Sequence, residues 1–372
     1  MDRITRAALA LLSLALIALS LLARPARAQG DDDMPVDAAM RATVIDSTIR
    51  FVRDNYLDSL TAIRLADAVR KARDAKRFDR CVTASALCDS LTATLRRVVA
   101  DGHLHVDYSV RPRPMNDAGE PTPEEEARRA AESRRRNYGF ARVERLPGNV
   151  GYVDLRRLER PDLAGATATA AMEMLQGSEA VILDLRKNGG GYGEMANLIA
   201  SYFFDWEPVQ VSTLHDRPTR ETMQQWTLAY VPGRRLAGVD LYVLVARRTF
   251  SAAEALAYTL KHHRNAVIVG ERTRGGAHPV LIRQVNEHFA VFVPRARGVD
   301  TVTGTDWEGT GIAPDIAAAP ERALDVAYLE ALKKIRARTP EPDGELTDAI
   351  RDATRALETT SAPSGSTTPP SR

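Results

Sequence analysis

Aromatic residues make up only 6% of this 372-residue chain, and it has just two cysteines and six lysines. Neither C-x-x-C nor H-E-x-x-H occurs, which removes the common zinc-ligand spacings. Past the first 28 residues no apolar run approaches the length needed to span a bilayer. Charge of either sign is also not in excess: beyond residue 28 there are 47 basic and 48 acidic side chains. With no basic stripe and few rings to stack on bases, nucleic acid is excluded as a partner.

What is present begins with an export signal. Arg3 and Arg6 precede the apolar run Ala7–Ala23, and Ala26-Arg27-Ala28 supplies an A-x-A cleavage site. Cleavage after Ala28 is favoured over retention as an anchor, giving a periplasmic or secreted protein. An even cysteine pair in an exported chain predicts one disulfide, Cys81–Cys88, with two free buried thiols as the alternative. Seven residues of continuous helix would separate the Cα atoms by about 10.5 Å, so a bridge requires Cys81 to lie in a turn before the helix that carries Cys88.

The pattern of 29–100 is helical: Ile45, Ile49, Val52 and Tyr56 recur at helical spacing, as do Leu87, Leu91 and Leu95. Residues 101–148 combine a histidine segment with a Glu/Arg block that reads as a solvated helix or linker. From 149 to 322 strands alternate with helices. Strands are predicted at Val150–Leu155, Ala180–Leu185, Leu241–Ala246 and Ala266–Gly270, with helices near Leu163–Leu175, Glu194–Phe204 and Ser251–His262. Val280–Val285 and Phe289–Val293 read as a hairpin. Such alternation implies an α/β core with a largely parallel sheet, preceded by a small helical module. Helices over 323–358 close the fold, and 359–372 is too polar to fold.

Ser251 stands where a buried strand passes into a helix, a place where free N–H groups and the positive end of the helix dipole can stabilise an oxyanion. An ordinary N-cap explains the same residue. Three further segments accompany it: Asp184-Leu185-Arg186-Lys187-Asn188-Gly189-Gly190-Gly191, Asp101-Gly102-His103-Leu104-His105, and Trp307-Glu308-Gly309-Thr310-Gly311-Ile312-Ala313-Pro314-Asp315. Glycines after a strand let backbone approach a ligand closely.

Together these segments resemble the C-terminal (tail-specific) processing serine peptidases, over roughly Asp101–Ile316. The resemblance implies a core shaped like the Clp protease and crotonase folds. It also implies Ser251 as nucleophile, with Ala252, Gly189 and Gly190 as oxyanion donors and Gly191, Gly275 and Gly276 lining the substrate. The chain departs from the best-known branch: no PDZ domain fits between Asp101 and Gly151, and no lysine stands some 25 residues after the serine. Lys261, ten residues down the same helix, is about 15 Å away along the axis. The departures match the interphotoreceptor-retinoid-binding-protein-like and tricorn-like branch, which implies His103 as general base and Glu308 as the carboxylate orienting it. Gly102 stands where tricorn-type enzymes have a serine.

Neutral imidazole is suited to take the serine proton and return it to a leaving amine, and an unperturbed ring predicts an acid limb near pH ~6–7. Alternation along the strand does not separate His103 from His105, and His278 is a second rival base. The expected function is an exported serine peptidase acting on an extended peptide or protein, with no metal or organic cofactor. A catalytically silent binding module for apolar ligands or peptides and an esterase-type acyl hydrolase are the alternatives.

Overall fold

The computed structural model describes residues 33–115 and 121–359; the expected signal peptide and nearly all of the polar tail lie outside this range. The N-terminal part contains helices α1 (Ala38–Asn55), α2 (Ser59–Asp74) and α3 (Ala84–Arg96), then strand β1 (His105–Tyr108) and helix α4 (Pro123–Arg135). The core follows as β2 (Phe140–Leu146), β3 (Val150–Leu155), α5 (Pro161–Met174), β4 (Ala180–Asp184), α6 (Gly193–Ser201), β5 (Gln210–Asp216), β6 (Thr222–Trp226), β7 (Asp240–Val245), α7 (Ala252–Arg264) and β8 (Val267–Gly270). Strands β9 (Val280–Gln284), β10 (Phe289–Pro294), β11 (Ala296–Asp300) and β12 (Ile316–Ala317) precede the last helices, α8 (Ala323–Arg338) and α9 (Gly344–Thr359).

A six-stranded sheet of order β12-β8-β7-β4-β3-β2 forms the centre; only the β2–β3 pair is antiparallel. Its inner strands β3, β4 and β7 are buried on both faces, as a sheet covered by helices on each side requires. Val153, Leu155, Val181, Leu183, Val243 and Val245 point into the cluster with α5, α6 and α7. Their neighbours Tyr152, Ile182, Tyr242 and Leu244 point the other way, into a cluster with α8 and α9. The period of two therefore divides each strand between two cores.

Two three-stranded sheets flank this centre, ordered β1-β10-β9 and β11-β5-β6. Phe289, Val291 and Val293 on β10 pack with α1–α3, so the helical module shares one apolar cluster with the first of them. Cys81 and Cys88 are both free and buried in that cluster, and the expected disulfide is absent. They pack there as small apolar side chains, and burial pushes the Cys88 thiol up to about 12. The Glu/Arg block is a helix, as its charge pattern allows, but Glu125 is buried and held by Arg128 and Arg129 at 2.6 Å each. Among the described residues, no helix is long and apolar enough to cross a membrane.

Candidate active site

The loops that follow β4 and β7 meet at the carboxyl ends of two adjacent parallel strands, the usual place for a ligand crevice in an open α/β sheet. Ser251 ends the second loop, immediately before α7. Its backbone has φ 58° and ψ −129°. A helix N-cap ordinarily takes the extended region, and a non-glycine residue held here is strained by on the order of 1–3 kcal/mol. The sharp turn presents the side chain outward from a strand-to-helix junction, the arrangement that exposes nucleophilic serines in unrelated hydrolases.

Gly190 explains part of the turn's geometry. A Cβ on it would fall 2.8 Å from the Phe250 carbonyl oxygen and 2.9 Å from the Ser251 Cβ, so only glycine lets the two loops close. Asn188, fully buried, braces the glycine run: its Nδ2 donates to the Leu155 carbonyl at 3.0 Å, and its Oδ1 accepts from the Gly190 N–H at 2.8 Å. That bond removes Gly190 from the expected oxyanion donors. Ala252, at the first turn of α7, and Gly189 keep N–H groups without partners among the described residues.

Four ionisable groups gather beside the serine. His103 precedes β1, packs its ring 4.4 Å from that of Phe250, and has neither ring nitrogen hydrogen-bonded. Burial pushes its pKa down to about 4, against the opposing pull of Asp101. His278 is held through Nδ1 by Asp101 Oδ2 at 2.8 Å, with Glu308 Oε2 at 3.5 Å. Burial alone would lower its pKa, but the Asp101 hydrogen bond and the Glu308 charge outweigh it and raise it. Asp101 also accepts the His103 N–H at 2.9 Å; despite its burial, these partners hold it below the usual carboxylate range. Glu308 accepts from the Ala277 N–H at 2.6 Å, leaves Oε1 buried and unpartnered, and is pushed up by burial and by Asp101.

The expected set is thus only partly assembled. Ser251, His103 and His278 line one groove of about 630 Å³, with Gly191, Ala255 and Trp307 among its walls. Glu308 touches His278 and not His103. His105 is not among the residues lining this groove: its Nδ1 is 2.7 Å from the His103 carbonyl oxygen, and its ring stacks on Phe292. Lys261 is spent on the Ala313 carbonyl at 3.0 Å and the Asp315 carboxylate at 2.6 Å. Gly275 and Gly276 belong to the loop around the serine, where a Cβ on Gly276 would collide with the Phe250 ring and approach the His103 ring. Of possible metal ligands, Asp101, His278 and Glu308 bring their donor atoms within 4.8 Å of one another.

Sequence reasoning gave no role to Asp101, Asn188 or Glu254. The first two lie inside the quoted motifs, and Ser251-x-x-Glu254 has capping-box spacing, which was the available signal for the third.

Residues 149–318 match peptidase family S41. Over 173 residues the chain is 30% identical to the chloroplastic C-terminal processing peptidase of Tetradesmus obliquus, a stretch covering 46% of this chain and 36% of that protein. Over 180 residues it is 31% identical to the carboxyl-terminal-processing protease of Picosynechococcus, covering 48% and 41% respectively. The chain therefore spans about two fifths of the length of these relatives. A solved lipoprotein from Streptococcus agalactiae shares the fold at a TM-score of 0.52 and 14% identity, over 80% of this chain and 96% of that one.

Proposed function

We propose that this protein is an exported serine peptidase that cleaves an extended peptide through an acyl-enzyme on Ser251. The observation that carries the reading is the strained, outward turn at Ser251, opening into a groove that two histidines also line. Strain of this kind persists only where the surrounding structure over-determines it, and it concentrates at functional sites. Similarity to processing peptidases over the same segment supports the assignment.

In this reading a neutral His103 takes the Ser251 proton as the hydroxyl adds to the scissile carbonyl. The Ala252 and Gly189 N–H groups meet the oxyanion, and the imidazolium returns its proton to the leaving amine. Its low pKa keeps His103 in the proton-accepting form at neutral pH. Glu308 Oε1 and the two His103 ring nitrogens are among the buried side-chain atoms without partners in the described residues, and their union would supply the orienting carboxylate. Catalytic hydrogen bonds often form only once substrate is bound. In this reading a histidine, not a lysine, takes the serine proton.

A second reading, with His278 as base and Asp101 orienting it, is favoured by the 2.8 Å bond between them. The nucleophile is tested by fluorophosphonate labelling of the purified protein, with Ser251→Ala as control. Labelling confined to Ser251 establishes an activated serine hydrolase. Its absence places the reading as a catalytically silent binding module above the peptidase.

A further inference from the structure

Glu254 is fully buried, lies on the first turn of α7 three residues after Ser251, and has no ion-pair partner among the described residues. Four donors converge on its carboxylate instead. Oε1 accepts from Thr273 Oγ1 at 2.5 Å and from the Gly275 N–H at 2.7 Å. Oε2 accepts from the Gly276 N–H at 2.8 Å and from the Ser251 N–H at 2.9 Å. Neither oxygen has spare capacity, and none of the four donors comes from the rest of the sheet.

We propose, on the reading of Ser251 as nucleophile, that Glu254 is a positioning residue whose carboxylate clamps the strained serine turn to the Thr273–Gly276 loop. The chain at Ser251 would relax out of φ 58° if its N–H were released. The clamp supplies a charge-assisted bond at that N–H and anchors its other end in the loop leading to Ala277 and His278. One oxygen thereby joins the nucleophile's backbone to the histidine loop. Burial raises the carboxyl above its ordinary pKa while the four donors oppose that. No ligand or substrate contact is needed for this role.

The donor count makes the clamp specific to a carboxylate. Glutamine has the same shape but one acceptor oxygen, and its NH₂ must replace either Oε1 or Oε2. In the first case it faces the Gly275 N–H; in the second it faces the N–H groups of Gly276 and Ser251. A hydroxyl such as that of Thr273 can turn to accept, but a peptide N–H cannot. Both orientations of glutamine therefore leave at least one buried donor opposed to another donor.

The test uses the second-order rate at which a fluorophosphonate labels Ser251, per folded molecule, with near-ultraviolet circular dichroism reporting folding. Glu254→Gln is expected to label at least 100-fold more slowly than wild type. Glu254→Asp keeps the charge but is too short to bridge turn and loop, and is expected to lose at least tenfold. A folded Glu254→Gln that labels within threefold of wild type overturns the inference. If that variant does not fold, Glu254→Asp decides: labelling at the wild-type rate overturns the clamp, and tenfold slower labelling in a folded protein supports it. A wild type that does not label at all removes the nucleophile reading and this inference together. A labelled wild type with equally labelled variants removes only the inference.

Discussion

His103 and His278 line the same groove beside Ser251, yet their surroundings push them in opposite directions. His103 sits against Phe250 with no partner on its ring, and burial holds it near 4. His278 is almost as enclosed, but Asp101 and Glu308 stand against it and raise it. The difference shows that burial alone does not set an imidazole's charge; the carboxylates admitted with it decide whether the effect of burial is overcome. A ring kept neutral is ready to accept a proton, whereas a ring pinned between two carboxylates is ready to hold its own and to fix the loop that carries it.

The largest expected effect comes from deleting one ring at a time. If His103 is the base, His103→Ala loses on the order of 10⁴–10⁶ in kcat, by analogy with other serine triads, and adding Ser251→Ala makes it hardly worse. His278→Ala then costs only about 10–100-fold, through misplacement of the loop. Steady-state kinetics on any peptide that the wild type cleaves checks the order. A reversal, with His278→Ala silent and His103→Ala active, transfers the base to the Asp101–His278 pair and leaves the serine mechanism in place.

The acid limb of kcat/KM separates the two rings without mutation. The neutral form is the active one in either case, so activity falls as pH drops through the pKa of the base. With His103 as base, activity persists through pH 6 and falls near pH 4, well under the ~6–7 that an unperturbed imidazole predicts. With His278 as base, the fall begins above about 6.5, the ordinary histidine value. A limb at pH 7 or higher therefore contradicts the His103 assignment.

A smaller effect concerns stability and isolates Ser251 from both histidines. Ser251→Ala keeps a Cβ at φ 58°, whereas Ser251→Gly removes the steric cost of that conformation. With Ser251 as nucleophile both are expected to be inactive, but the glycine variant is expected to be more stable than the alanine variant by about 1 kcal/mol or slightly more, a rise of roughly 2–4 °C in Tm. Equal melting temperatures would mean that the turn stores no strain.

The sequence carried the central sheet because β3, β4 and β7 are continuous apolar runs, and burial on both faces leaves such strands no other pattern. It did not carry β5, β6 and β11. Every residue of β6 is exposed, and Thr222-Met223-Gln224-Gln225-Trp226 has no apolar alternation to read. The positions of Ser251, Gly189–Gly191 and His103 in one site were legible through their motifs. The strain at Ser251 was not, because only glycine announces a positive φ in advance. The pairing of His278 with Asp101 joins residues 177 apart in sequence and depends on how β9 leaves the loop, which no local pattern encodes. Nor did the cysteine count distinguish a bridge from two thiols buried as apolar side chains.

The smallest expected effect tests whether any lysine shares the work of the two rings. Lys261 lies on α7, the helix that Ser251 precedes, but its ammonium is committed to Asp315 and the Ala313 carbonyl at the far end of α7. Removing it breaks a salt bridge whose carboxylate is 43% exposed. Such pairs are worth at most about 1 kcal/mol. Lys261→Ala should therefore keep kcat within about twofold of wild type and lower Tm by no more than roughly 2–4 °C. Since neither histidine touches Lys261, the acid limb should not move either. A well-folded Lys261→Ala protein without turnover would show that an amine takes the serine proton, and the contrast between His103 and His278 would then concern loop placement instead of proton transfer.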